Sequence, residues 1–179
     1  EYRLITDKIG YISISEFDDV TDDQFIAALD DLNSQGMENL IIDLRDNGGG
    51  LVDVTCDILD QLLPEGLIVY TEDKDGNRDE ETSDAEHYFP GKMAVLVNGN
   101  SASASEIFAG AIKDYGVGTL IGTQTFVKGI VQSLFPLSDG SAIKITVSRY
   151  YTPAGNNIHE VGITPDIILE KDAESEEDN

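Results

Sequence analysis

The chain contains few cysteines, histidines and basic residues. Its 179 residues include one cysteine, two histidines and no tryptophan, and 11 Lys and Arg stand against 35 Asp and Glu, which gives a formal net charge of −24 at pH 7. The lone Cys56 cannot form a disulfide within the chain. The negative charge repels phosphates and anionic lipid headgroups, so we expect no nucleic acid partner.

Long apolar runs are also missing. No stretch of the sequence approaches the roughly 18 apolar residues that a membrane span requires. The first residues, EYRLITDKIGYISISEF, have no basic segment followed by an apolar one, which is the pattern of a signal peptide. We therefore predict no membrane-spanning segment, and we expect that an upstream part of the protein precedes this sequence.

Length and composition indicate one globular domain. With 40% hydrophobic and 26% charged residues, the chain is long enough to bury its own core and short for two domains. Its last residues, EKDAESEEDN, are too acidic to contribute to a core. We expect residues 1–170 to form the domain and residues 171–179 to form an acidic, disordered tail.

The spacing of apolar residues predicts an α/β fold. Residues 40–44 and 93–97 are short apolar runs typical of buried strands, and each is followed by a Gly- or Ser-rich turn and a helical apolar pattern. Thr21, followed by Gln24, predicts the N-cap of the first helix. The later part of the chain is rich in hairpin signals, so we predict a mixed sheet with flanking helices and a C-terminal β-hairpin.

Ser103 and Lys128 are candidate catalytic residues. A serine is a weak nucleophile until a base takes its proton, and histidine is the usual base. His87 and His159 leave a Ser/His/Asp triad possible by count alone. A lysine can also serve, because burial disfavours its charged form, and Lys128 lies among apolar residues where we expect it to be withdrawn from water. Taken singly, Ser103 could simply be a polar residue of a helix cap, and a lysine in apolar surroundings is more often a surface residue.

Several motifs together resemble the carboxyl-terminal processing proteases, also called tail-specific proteases. They are NGNSASASE at 98–106, TFVKGIVQ at 125–132, LRDNGGG at 44–50, SRYYTPAG at 148–155 and VGITPD at 161–166. Their order and separations match the family over nearly the whole chain. The resemblance implies a crotonase/Clp-protease-like α/β fold and a serine endopeptidase that cleaves proteins near their C-termini.

The same resemblance implies the role of each site residue. Ser103 would be the nucleophile, Lys128 the general base and Gln132 the residue that orients the lysine amine. The backbone N–H groups of Gly49 and Ala104 would form the oxyanion hole. The resemblance also implies that the protein acts outside the cytoplasm, that it binds the C-terminal tails of its substrates, and that a PDZ domain lies upstream of this fragment.

The sequence departs from the family pattern at Val127, at Gly48 and at Asn156-Asn157, which replaces a more usual basic-polar pair. Val127 stands where glycine is common and would be strained if the position requires a positive φ, and Gly48 stands where proline is common. A catalytically impaired, peptide-binding relative is therefore an alternative. A crotonase-type acyl-CoA enzyme is a weaker alternative, because it needs no Ser/Lys pair. Asp73 and Asp75 do not complete a calcium loop, and no phosphate-binding motif occurs, so we predict no metal and no cofactor.

Overall fold

Strands and helices alternate along the first two thirds of the chain, and strands dominate the rest. The computed structural model describes residues 1–84, 86–159 and 161–169, with the side chains of residues 132–134 outside the description. The predicted acidic tail, 171–179, therefore lies outside the described residues. The elements are β1 (Tyr2–Thr6), β2 (Ile9–Ser13), α1 (Thr21–Ser34), β3 (Asn39–Asp43), α2 (Val52–Asp60), β4 (Gly66–Asp73), β5 (Arg78–Ser83), β6 (Lys92–Val97), α3 (Ala104–Tyr115), β7 (Gly118–Gly122), β8 (Ile130–Pro136), β9 (Ala142–Tyr151) and β10 (Ile167–Ile168).

The larger sheet has six strands in the order β1-β2-β3-β6-β7-β10. β1 pairs antiparallel with β2, and the other pairs are parallel, so the predicted mixed sheet is confirmed. The register aligns four buried apolar side chains across the parallel strands: Ile12, Ile42, Val95 and Leu120. This row explains why the apolar runs form the central strands, since parallel strands are buried on both faces.

The smaller sheet has four antiparallel strands in the order β5-β4-β9-β8. β8 and β9 form the predicted C-terminal hairpin, with Phe135 opposite Ile143. The sequence patterns did not predict β1 or β10. Every residue of β1 except Leu4 is exposed, and β10 has only two residues, so neither strand carries a strong apolar signal.

Among the described residues, helix α2 contacts both α1 and α3, and α1 and α3 also contact strands of the larger sheet. The N-cap of the first helix is Val20, one residue before the predicted Thr21, which is already part of the helix. The Thr21 hydroxyl donates to the Asp18 carboxylate at 2.7 Å instead of capping the helix. The N-cap prediction for Thr21 is therefore wrong.

Three connections leave the sheet at one edge. The segments 44–51, 98–103 and 123–129 follow β3, β6 and β7, which are adjacent and parallel. Carboxyl ends of parallel strands meet at the same edge, where α/β proteins commonly place their sites. The fold thus brings the glycine turn, the serine cluster and the lysine loop together. Within the described ranges, no helix combines the length and apolar character needed to cross a membrane.

Candidate active site

Ser103 lies at a sharp turn between β6 and α3. Its backbone has φ 57° and ψ −114°, a conformation that L-residues rarely adopt. Such strain persists only where the surroundings enforce it, and a strained strand-to-helix turn presents its serine side chain outward. Ser103 is half-buried, whereas the residues on either side of it are buried. The geometry therefore favours Ser103 as the reactive serine of the cluster.

The other two serines of the cluster have structural partners. The buried Ser101 hydroxyl donates to the Leu44 carbonyl at 2.7 Å, and the buried Ser105 hydroxyl donates to the Asn47 carbonyl at 3.0 Å. Both bonds join the start of α3 to the segment that follows β3. These two hydroxyls hold the two loops together, which explains why three serines occur where the proposed chemistry needs one.

The glycine turn packs directly against Ser103. Gly49 has φ 104°, and a Cβ added there would lie 2.7 Å from the Ala102 carbonyl oxygen and 2.8 Å from the Ser103 Cβ. No side chain fits at this position. The sequence placed Gly49 beside the nucleophile only by resemblance, and the backbone contact gives a physical reason for glycine there.

The two predicted oxyanion donors differ in their hydrogen bonding. The Gly49 N–H donates to the side-chain oxygen of Asn47 at 2.8 Å. The Ala104 N–H, at the first helical position, has no protein acceptor among the described residues. The Ala104 N–H is therefore available to an oxyanion in this conformation. The Gly49 N–H becomes available only when its hydrogen bond to the Asn47 side chain breaks. The assignment of both residues stays a prediction.

A buried carboxylate joins the serine turn to the lysine loop. Glu106, which is 0% exposed, accepts the N–H of Ser103 at 2.9 Å and the N–H of Lys128 at 2.8 Å through the same oxygen, Oε2. Its Oε1 accepts the N–H of Val127 at 2.8 Å and the hydroxyl of Thr125 at 2.7 Å. Four donors satisfy the carboxylate, which offsets the cost of removing it from water.

Sequence reasoning missed Glu106 and Thr125. A signal was present, because Glu106 closes the SASASE motif and is followed at once by the buried Ile107 and Phe108. An acidic residue on a buried helix turn requires partners. Thr125 is also buried, and its hydroxyl accepts the N–H of Ile163 at 2.8 Å. This contact connects the lysine loop to the VGITPD motif.

Lys128 is exposed, which corrects the expectation that it is withdrawn from water. Only its backbone is held, through Glu106, while the segment around it lies at the surface, with Phe126 55% and Val127 38% exposed. Val127 has φ 75°, so the position does require a positive φ and the valine is strained there, as the departure from the family pattern led us to expect. Its Cγ1 would lie 2.8 Å from a Cβ at Gly162, so a glycine makes room for it.

Gln132 lies on β8, opposite Thr146 of β9. Its side chain is not among those described. The strand begins at Ile130, after Lys128, and its register shifts between Val131 and Gln132. The regular alternation of side chains is therefore interrupted between Lys128 and Gln132. The orienting role of Gln132 stays a prediction.

An ion pair anchors the start of the glycine turn. Arg45 Nη2 donates to Asp43 Oδ2 at 2.6 Å, and Arg45 Nε donates to Asp43 Oδ1 at 2.9 Å. The Tyr11 hydroxyl also donates to Asp43, at 2.8 Å. Burial acts to raise the pKa of Asp43, but the hydrogen bonds from Arg45 and Tyr11 outweigh it and lower the pKa below its ordinary value. The pair fixes the backbone where β3 leads into the glycine turn.

One group among the described residues could hold a metal ion. Asp60, Asp84 and His87 place their ligand atoms within 4.8 Å of one another. Asp60 is half-buried and the other two are exposed, and the Asp84 N–H already donates to Asp60 at 2.6 Å. None of the three belongs to the Ser103 site. The expectation of no metal and no cofactor stays a prediction.

Comparison with known proteins identifies related sequences. The sequence profile of peptidase family S41 matches residues 8–169. A carboxyl-terminal-processing protease of Synechocystis sp. is 44% identical over 163 residues, which cover 91% of this chain and 38% of that protein. A C-terminal processing peptidase of Tetradesmus obliquus, described as chloroplastic, is 38% identical and covered to 35% of its length. The chain thus spans less than two fifths of these relatives.

Solved structures show the same fold. The photosystem II D1 C-terminal processing protease superimposes with a TM-score of 0.86 at 39% identity, over 90% of this chain and 42% of that chain. Mature CPAF superimposes with a TM-score of 0.73 at 17% identity, over 90% of this chain and 46% of that one. The second likeness shows the shared fold alone.

Proposed function

This chain belongs to peptidase family S41, and from that premise we propose that it is the catalytic domain of a carboxyl-terminal processing serine protease, with Ser103 as nucleophile and Lys128 as base. The contact that carries the proposal is the shared oxygen of Glu106, which binds the backbone N–H of both residues. It joins the Ser103 turn to the Lys128 loop, two segments that are distant in sequence and that the chemistry must bring together.

The reaction is an acyl transfer. The neutral amine of Lys128 takes the proton of the Ser103 hydroxyl as its oxygen bonds to the peptide carbonyl carbon. The tetrahedral intermediate then collapses, the C–N bond breaks, and the leaving amine receives the proton. A water molecule, deprotonated by the same amine, then attacks the acyl carbon, the C–O bond to Ser103 breaks, and the serine oxygen recovers the proton from the Lys128 amine. The proposed steps use no metal and no cofactor.

The developing oxyanion is stabilised by backbone N–H groups. Ala104 donates from the first turn of α3, where the positive end of the helix dipole adds to the hydrogen bond. Gly49 is the second donor, and its packing against Ser103 supports this role. The substrate oxygen then takes the place that the Asn47 side chain holds in the free protein.

Substrate binding would complete the surroundings of the base. Lys128 and its neighbours Phe126 and Val127 are exposed in the free protein. A polypeptide laid across this segment covers the two apolar side chains and removes water from the amine, which favours the neutral form of a lysine. Gln132 then accepts a hydrogen bond from the amine and directs it toward Ser103.

The resemblance supports three further parts of the proposal. The substrates are proteins cut near their C-termini, the cell compartment is extracytoplasmic, and a PDZ domain lies upstream of this fragment and captures the substrate tail. The relatives, which are more than twice as long as the matched region, leave room for such a domain. The acidic surface of this chain gives no support to a nucleic acid partner.

A fluorophosphonate probe, which labels activated serines, tests the dyad. We expect labelling of the wild type and none of Ser103→Ala or Lys128→Ala. Ser138→Ala and Lys144→Ala, which change exposed residues outside the site, are matched controls and should be labelled normally. Equal labelling of Lys128→Ala would refute a lysine base.

A second candidate is a peptide-binding relative without catalysis, which the positive φ of Val127 favours. A wild type that binds peptides but resists the probe would support it. Labelling that appears in Val127→Gly alone would trace the inactivity to strain in the lysine loop.

A further inference from the structure

A cavity of about 420 Å³ lies between β2 and the first turns of α1. Its apolar lining includes four buried side chains, those of Ile12, Ile14, Phe25 and Ala28. Three exposed carboxylates, those of Glu1, Glu16 and Asp18, also line it. No Lys, Arg or His lines the cavity in the part of the chain that the structure describes. Its volume falls within the range of ligand pockets.

The wall of this cavity also supports the glycine turn. The Ile14 carbonyl accepts a hydrogen bond from the Asn47 side chain at 2.9 Å. Two residues past the cavity-lining Ser15, Phe17 donates its N–H to the Gly49 carbonyl at 3.0 Å. Segment 14–17 therefore contacts both the cavity and the turn that packs on Ser103.

The lining matches an amphipathic cation. Lysine and arginine carry a charged head on an apolar stem, which suits an apolar interior with carboxylates. Hydrogen bonds from the Thr21 hydroxyl and the Val20 N–H lower the pKa of Asp18, so this carboxylate stays charged near neutral pH. The net charge of −24 attracts cationic segments at longer range.

An anionic occupant fits less well. The N-terminus of α1 would attract an anion on its own, but Asp22 and Asp23 in its first turn already compensate the helix dipole. Glu16 and Asp18 add further repulsion at the cavity. The charges near the cavity thus select for a positive group.

We propose that this cavity is a substrate subsite that takes a lysine or arginine side chain of the polypeptide bound at Ser103. The proposal rests on the proteolytic function given above. It assigns Glu16 and Asp18 a role in substrate specificity, because their carboxylates would contact the cationic head.

Paired peptides test the subsite. One peptide of each pair carries lysine and the other carries norleucine, which keeps most of the aliphatic stem and lacks the charge. Separate pairs place this residue at each position around the cleaved bond. We expect the wild type to prefer lysine at one position by about tenfold in kcat/KM, an amount ordinary for one charge-assisted hydrogen bond. Glu16→Gln and Asp18→Asn should each bring the lysine-to-norleucine ratio toward one. Glu65→Gln, which changes an exposed carboxylate outside the cavity, should keep the ratio.

A binding measurement separates this proposal from the proteolytic one. Fluorescence polarisation of the same labelled peptides with Ser103→Ala reports the preference without cleavage. A lysine preference in binding that Glu16→Gln removes would support the subsite even if the wild type cleaves nothing. Cleavage without any lysine preference, or a preference that survives in both carboxylate variants, would overturn the subsite and leave the protease assignment standing.

Discussion

Glu106 accepts the backbone N–H of Lys128 through Oε2, at 2.8 Å. The same oxygen accepts the N–H of Ser103 at 2.9 Å, so one carboxylate fixes the backbone at both ends of the proposed dyad. Glu106 is a positioning residue, because its contacts are to three backbone N–H groups and the Thr125 hydroxyl and not to the reacting atoms. The arrangement holds the lysine loop in place while leaving the Lys128 side chain exposed to an incoming substrate.

Glu106→Gln should impair both stability and catalysis. The introduced amide offers one acceptor oxygen, and its NH₂ group faces N–H donors that it cannot satisfy. We expect a loss of about 2 kcal/mol in the free energy of unfolding and a fall in kcat of at least about tenfold with little change in KM. Chemical denaturation and peptide kinetics measure the two effects. A variant that is folded under assay conditions and keeps the wild-type kcat would rule out the positioning role.

Two adjacent glycines provide a matched test of the turn beside Ser103. Gly49→Ala must displace the Ala102 carbonyl or Ser103, whereas a Cβ at Gly48 meets nothing within 4 Å. Gly48 also has no positive φ. We expect Gly49→Ala to lose on the order of 100-fold in kcat/KM, the size of an oxyanion-hole defect, and Gly48→Ala to stay within about twofold of the wild type. Equal activity of the two variants would contradict the role of Gly49.

Val127→Gly should relieve strain in the lysine loop. Valine at φ 75° lies in a region that β-branched residues rarely occupy, whereas glycine adopts it freely. We expect the free energy of unfolding to rise by about 1 kcal/mol. Removing the strain stabilises the folded state by about 1–3 kcal/mol, and the greater conformational entropy that glycine gives the unfolded chain offsets part of this stabilisation. Peptidase activity should rise as well. Val147→Gly on β9, at an ordinary φ, should instead destabilise the protein.

The three serines of the SASASE motif should differ in whether their replacement affects stability or labelling by the probe. Ser101→Ala and Ser105→Ala each remove a buried hydroxyl that bonds a backbone carbonyl, so each should lower the free energy of unfolding by about 1 kcal/mol. Both should still react with a fluorophosphonate probe. Ser103→Ala should unfold much like the wild type and show no labelling. Labelling that survives in Ser103→Ala would move the nucleophile elsewhere.

The Asp43 ion pair should contribute a pH-dependent part of the stability. The pKa of Asp43 in the folded protein lies below the ordinary value of 3.8. The stabilisation that the charged carboxylate provides is therefore complete above that value and is lost as the pH falls through the pKa of the folded state. Asp43→Asn should be less stable than the wild type at pH 7 by about 1–3 kcal/mol. The gap should close as the pH is lowered below about 4. Denaturation curves from pH 7 to pH 3 measure this, and a gap that widens on acidification would show that the sign is wrong.

Local patterns were enough to predict most of the fold. The apolar runs before 44–50 and 98–106 could only be buried strands, because their neighbours are turn formers and their length is too short for a helix. The hairpin of β8 and β9 followed from alternating residues around the Asp139-Gly140 turn. β1 escaped prediction because a largely exposed edge strand is held by backbone pairing, which leaves little trace in hydropathy.

The sequence by itself indicated the family, singled out Ser103 and Lys128 as the candidate dyad, and marked Val127 as a departure from the family pattern, because each depends on residue type and spacing. Only the tertiary structure decided which serine is held at a strained turn and which two tie loops together. It also revealed that Lys128 is exposed and that Glu106 joins the Ser103 turn to the Lys128 loop. These depend on hydrogen bonds between segments that follow different strands, and such contacts exist only after the parallel strands have aligned their carboxyl ends.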